Sequence, residues 1–188
     1  MPISLRSTSK VKAKALDDRV GCALAIRLLQ EEVSFPLIVA FTVQEEVGLR
    51  GAGVATYQIR PDLALVLEGT TASDVPGTDE HKHATTVGEG PCITVIDRVS
   101  IPHPPLVQEL FAVASEEGIK VQVRRNTAGG TDAGQIQLSE EGVKVATIAV
   151  PCRYIHSPVS VMSKNDYEGA YKLVKSYLKR LQEREASK

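Results

Sequence analysis

Pro36-Leu37-Ile38-Val39-Ala40-Phe41-Thr42-Val43 runs directly into Gln44-Glu45-Glu46. A short, continuous apolar run of this kind predicts a strand buried on both faces, and here it stops abruptly at two acids. Leu63-Ala64-Leu65-Val66-Leu67 repeats the arrangement and is followed by Glu68. Val145-Ala146-Thr147-Ile148-Ala149-Val150 is a third such run, and Pro151-Cys152-Arg153-Tyr154-Ile155 then leads to His156.

Helical patterns lie between these runs. Val20, Leu24 and Leu28 recur at a spacing of four and predict a helix over 20–32. A short helix rich in Gly and Ala is expected over 49–57. Leu106, Leu110 and Ala114 mark one over 105–117. Ala170, Leu173, Val174, Tyr177, Leu178 and Leu181 form the apolar stripe of a last helix over 164–184, opened by the start signal Ser163-x-x-Asp166. Residues 92–96 and the pair Val121 and Val123 read as further strands, and 69–90 as loop. Alternating strands and helices predict an α/β fold, a three-layer αβα sandwich with a mainly parallel central sheet. Residues 1–188 are expected to form one domain, with 1–13 rearranged or flexible and 183–188 frayed.

The totals narrow the function classes. A net charge of −1 offers no overall field for nucleic acid or an anionic membrane. No stretch approaches the roughly 20 apolar residues of a membrane span. The first residues lack the apolar core of a signal peptide. Cys22, Cys92 and Cys152 are widely spaced and contain no Cys-x-x-Cys pair, which argues against a disulfide framework and for a reducing, cytoplasmic setting.

In open α/β sheets, ligands bind beyond the carboxyl ends of the strands. Glu45, Glu46, Glu68 and His156 all follow predicted strands, and Asp17-Asp18 sits just before the first helix. Taken singly, each has a plain structural explanation. Asp17-Asp18 suits a helix cap and dipole partner, Glu45-Glu46 a solvated loop, and a lone histidine is usually no ligand. Together they place carboxylates and an imidazole at one end of the sheet, a donor set for zinc, cobalt or manganese. Adjacent side chains on extended backbone point in different directions. One of Glu45 and Glu46 can therefore face a metal and the other a water, but spacing does not say which.

These residues fall within longer motifs. Lys14-Ala15-Leu16-Asp17-Asp18-Arg19-Val20-Gly21, Gln44-Glu45-Glu46-Val47-Gly48-Leu49-Arg50-Gly51-Ala52, Glu68-Gly69-Thr70-Thr71, Gly129-Gly130-Thr131-Asp132-Ala133-Gly134 and Arg153-Tyr154-Ile155-His156-Ser157-Pro158 occur in that order. The set resembles the TET-type aminopeptidases, a family that includes glutamyl and deblocking aminopeptidases and members labelled endoglucanases. The resemblance implies a zinc-exopeptidase-like fold and hydrolysis of the N-terminal bond of short peptides at two divalent ions. Asp17 would bridge the two metals, with Glu46 and His156 completing one site and Glu68 binding the second. Glu45 would be the general base and Asp18 an orienting group. Gly130, Thr131 and Asp132 would line the substrate pocket. The same turn also reads as a helix cap formed by Thr131 or Asp132. His81, His83 and His103 match no ligand position and read as surface or loop residues.

Fuller members of that family carry an earlier segment, which supplies another histidine to the second metal, and an inserted β domain. Sixteen residues precede Asp17 here, so the second site is expected to keep Asp17 and Glu68 without that histidine. The competing expectation is a shortened relative that holds metal or peptide without turnover. Glycoside hydrolysis, which also uses paired carboxylates, leaves His156 and Asp17 without a task. Self-association into a homo-oligomer, or a rearranged start using Ile3-Ser4-Leu5-Arg6, would cover the sheet edge left by the shorter chain.

Overall fold

The computed structural model describes residues 3–4 and 9–187. The strands are β1 (Ile3–Ser4), β2 (Lys10–Ala13), β3 (Leu63–Thr71), β4 (Cys92–Ile93), β5 (Gln122–Val123), β6 (Lys144–Arg153) and β7 (Ser160–Ser163). The helices are α1 (Leu16–Leu28), α2 (Arg50–Ile59), α3 (Pro104–Glu116), α4 (Ala133–Ile136) and α5 (Lys164–Ala186). Among the described residues, no helix is long and apolar enough to cross a membrane.

β6 is the hub of the single sheet. It pairs with β3 in parallel from Leu63↔Lys144 to Thr71↔Cys152. Its other edge pairs with β4 near Ile148 and Ala149 and with β7 at Cys152 and Arg153, both antiparallel. β2 extends the sheet antiparallel from β7, and β1 from β2.

The alternation of side chains along the central strands builds two cores. Leu63, Leu65 and Leu67 of β3 join Ala146, Ile148 and Val150 of β6 against α1, α3 and α5. Ala64 and Val66 join Val145 against Ala52 of α2 and Ala133 and Ile136 of α4. The result is helix, sheet, helix. Leu24, Leu110, Ile148 and Leu173 are fully buried, and each such side chain contributes about 1.5–3 kcal/mol relative to exposure.

Three expectations need correction. The sheet is mixed: β3–β6 and β4–β5 are parallel, and the other four pairings are antiparallel. For β6 and β7 the cause is the six-residue connection between them, far too short for a parallel crossover.

Residues 36–43 form no strand. No backbone–backbone hydrogen bond holds residues 36–42 among the described residues. Val33, Phe35 and Leu37 pack on the larger core, but Ile38, Phe41 and Val43 are 61%, 53% and 65% exposed. Apolarity signals a segment suited to burial; it does not provide a neighbouring strand to pair with.

Thirdly, Glu68 lies within β3, which continues to Thr71. The first helix, for its part, ends at Leu28, short of the expected residue 32. The Ser163 signal works only in part. Ser163 Oγ accepts from the Asn165 N–H, whereas buried Asp166 accepts from the Gly88 and Gly90 N–H groups and so ties that loop to α5. Leu5 and Arg6 lie outside the described residues.

Candidate metal centre

Asp17 and Asp18 occupy a break at the start of α1. Ala15 is left-handed (φ 50°), both aspartates have non-helical backbone angles, and the peptide bond between them is cis. The Gly21 N–H donates to Asp18 Oδ1 at 2.9 Å. A Cβ at Gly21 would stand 2.1 Å from the Leu67 carbonyl oxygen, so glycine is what lets α1 close onto β3.

Glu45 and Glu46 occupy the tight turn that enters α2. Gln44 before them is left-handed (φ 61°), an uncommon state for a non-glycine residue and one that clusters at functional sites. The Glu45 carbonyl accepts from the N–H groups of Gly48 (3.1 Å) and Leu49 (2.9 Å), and the Val43 carbonyl from that of Gly51 (3.0 Å). A Cβ on Gly51 would lie 2.4 Å from the Val43 oxygen and 2.6 Å from its nitrogen. Gly51→Ala is therefore expected to displace the glutamate turn and destabilise the chain by about 1–3 kcal/mol, read as a lower midpoint in thermal unfolding.

His156 sits in the β6–β7 connection and is itself left-handed (φ 59°), as is Tyr154. The Tyr154 carbonyl accepts from the hydroxyls of Ser157 (2.6 Å) and Ser160 (3.2 Å). Arg153, at the root of the connection, donates through two nitrogens to Asp74 at 2.8 and 2.7 Å. Although burial works against the Asp74 charge, Arg153 and the Val87 N–H hold its carboxyl below the usual range.

These three loops converge. His156 Nε2 is 3.2 Å from Asp17 Oδ2 and 3.3 Å from Glu46 Oε2. One ligand atom from each of the three residues lies within 4.8 Å of the others, the spacing of a group able to hold a cation. Two carboxylates and an imidazole fit zinc, cobalt or manganese by donor type.

The surrounding electrostatics have the same sign throughout. Burial, then the neighbouring Glu46, raises the Asp17 carboxyl, with His156 opposing. Partial removal from water pushes Asp18 up to about 8 against the Gly21 N–H bond. Burial and the charges of Asp132, Glu46 and Asp17 push Glu45 up to about 7. Glu68 is raised well above its ordinary value by burial and by Asp18, Asp17 and Glu45, with Arg124 opposing. Acids crowded in this way favour a bound positive charge.

The structure thus brings Asp17, Glu46 and His156 together, with Glu45 and Asp18 beside them. Glu68 joins no group of three donors among the described residues. Thr131 and Asp132 are buried at the start of α4, and Gly130 is partly buried. Thr131 Oγ1 accepts from the Ala133 N–H, whereas the Asp132 carboxylate makes no cap bond. It accepts instead from the Thr42 hydroxyl at 2.5 Å, and its Oδ1 is buried without a hydrogen-bond partner. His81 is exposed, His83 Nε2 is 3.2 Å from the Thr78 carbonyl oxygen, and His103 holds the N-cap position of α3. Sequence reasoning missed Thr42 and Arg124. Thr42 was hidden inside an apolar run, and Arg124 carries no motif.

The chain matches the M42 glutamyl aminopeptidase family over residues 2–173. It is 38% identical to the glutamyl aminopeptidase of Lactococcus lactis over 159 residues, 82% of this chain and 43% of that protein. Among solved structures, an aminopeptidase from the archaeon Desulfurococcus kamchatkensis superposes with a TM-score of 0.89 at 38% identity, over 94% of this chain and 51% of that one. The TET1 peptidase of Pyrococcus horikoshii, described as assembling into a tetrahedron or a large octahedral shell, gives 0.78 at 31% identity over 95% and 52%. The chain spans about half the length of these relatives. With its motifs in order and its acids and histidine gathered at one end of the sheet, the chain belongs to the M42 glutamyl aminopeptidase family.

Proposed function

We propose that this chain carries the catalytic part of a metal-dependent aminopeptidase that hydrolyses the N-terminal peptide bond of short peptides. The observation that carries the reading is the convergence of Asp17, Glu46 and His156 donor atoms within 4.8 Å, with Glu45 adjacent in sequence and in charge. Asp17, Glu46 and His156 would hold one divalent ion, and Asp17 and Glu68 would serve a second; zinc, cobalt and manganese all suit the donors. When bound, such ions supply Lewis-acid polarisation of a carbonyl and acidification of water.

The protein's own groups do the rest. Glu45, next to the ligand Glu46 in the same turn but outside the converging donor group, is placed for proton transfer to and from a water at the site. It takes a proton from the attacking water and returns it to the amine nitrogen as the peptide C–N bond breaks. Gly130, Thr131 and Asp132 line the substrate pocket. Asp18, anchored by Gly21, orients the Asp17 backbone.

A homo-oligomer is part of the reading, supported by the shells described for the Pyrococcus TET1 peptidase and by the exposed Ile38, Phe41 and Val43. A reducing, cytoplasmic setting is supported by three free cysteines.

Release of an amino acid from aminoacyl-anilides, with cobalt, zinc or manganese added, tests the activity. Chelation is expected to abolish it. His156→Ala is expected to lower metal affinity by about 10-fold or more, measured by metal competition. The second reading, a chain that holds metal or peptide without turnover, is favoured by Glu68 joining no group of three donors among the described residues. Metal bound without release of amino acid would select it. Two tightly held ions per chain, by elemental analysis, would count against an impaired site.

A further inference from the structure

The segment that delivers Glu45 and Glu46 has little to hold it. Residues 36–42 make no backbone–backbone hydrogen bond among the described residues, and Ile38, Phe41 and Val43 are largely exposed. On the far side, the turn is fastened to α2 through the Gly51 N–H and the Val43 carbonyl. On the near side, the fastening is a side-chain bond. Thr42 Oγ1 donates to Asp132 Oδ2 at 2.5 Å, across ninety residues of sequence. Asp132 is 7% exposed and stands at the start of α4. Helix α4 is seated by Ala133 and Ile136 in the smaller core.

We propose that Thr42 is a positioning residue whose hydroxyl, latched to Asp132, fixes the Glu45–Glu46 turn to the α4 side of the sheet. Cutting a hydrogen bond to a buried carboxyl leaves that group unsatisfied, so the bond is costly to lose. Thr42 stands three residues before Glu45, so losing the latch frees the turn at its N-terminal end. Misplacing a reacting group by about 1 Å costs on the order of 100-fold in rate.

The activity half of this inference rests on the aminopeptidase reading, so the deciding experiment has a second half that does not. Hydrogen exchange is measured on the full chain and on Thr42→Val and Thr42→Ser. The reporters are the amides of Gly48, Leu49 and Gly51, which bond the Glu45 and Val43 carbonyls. Thr42→Val is expected to speed their exchange by about tenfold, with Leu24 and Ile148 unchanged and Thr42→Ser close to wild type. In turnover of aminoacyl-anilides, kcat of Thr42→Val is expected to fall about 10- to 100-fold with KM little changed, and Thr42→Ser to restore it.

Exchange at the three turn amides equal to wild type overturns the latch. So does acceleration that includes Leu24 and Ile148, which would report general loosening, and so does unchanged kcat in an active wild type. Faster exchange at the turn in a wild type that hydrolyses nothing upholds the latch and removes the aminopeptidase reading.

Discussion

Glu45→Gln is expected to lower turnover of aminoacyl-anilides by about 10²–10⁴-fold, the range for loss of general acid–base catalysis, while metal content stays at the wild-type level. Glutamine keeps the shape and hydrogen-bonding reach of the side chain but cannot accept a proton from water. The metal should be unaffected because the converging donors are Asp17, Glu46 and His156, not Glu45. The same change at Glu46 should instead empty the site. Steady-state kinetics beside elemental analysis of the two variants checks this division. Equal turnover in wild type and Glu45→Gln would end the assignment of Glu45 as base.

Metal-free protein is expected to melt at a higher temperature at pH 5.5 than at pH 8.5, by about 5 °C. Asp17, Asp18, Glu45, Glu68 and Asp132 all bind their protons more tightly folded than unfolded, with Asp18 raised to about 8 and Glu45 to about 7. These five acids therefore hold more protons in the folded chain than in the unfolded one from about pH 4 to about pH 8. Their contribution to stability falls as pH rises through that window. A divalent cation supplies the positive charge that protons supply at low pH. Added zinc or cobalt should accordingly raise the melting temperature most at pH 8.5 and flatten the profile. Calorimetry at the two pH values, with and without metal, decides it; a metal-free midpoint that rises with pH would contradict the crowded-acid account.

Much of this site was legible before any coordinates. The acids after apolar runs and the histidine after a third run share one explanation; the folded chain brings donor atoms of Asp17, Glu46 and His156 within 4.8 Å of one another, and leaves Glu68 outside any group of three among the described residues. The α/β class followed from the alternation of the two periodicities. What escaped did so for identifiable reasons. Ser160-Val161-Met162-Ser163 is short and half polar, so β7 left no strand signal, and without β7 the sheet looked more parallel than it is. Residues 36–43 carried a strong signal that described composition alone; pairing depends on an edge elsewhere in the chain. Thr42 looked like one more β-branched residue because its partner lies ninety positions away.

The β6–β7 connection places His156 under the control of a distant element. β7 ends at Ser163, and Ser163 is also the N-cap of α5. The strand that returns the chain past His156 is thus continuous with a helix whose Leu173, Val174 and Tyr177 are buried in the larger core. A truncation or proline that undocked the C-terminal helix would let β7 slip and carry the imidazole away from the carboxylates, though no residue of that helix is among the converging ligands. The C-terminal helix acts as ballast for the histidine, so damage to the tail of this chain should be felt first as lost metal.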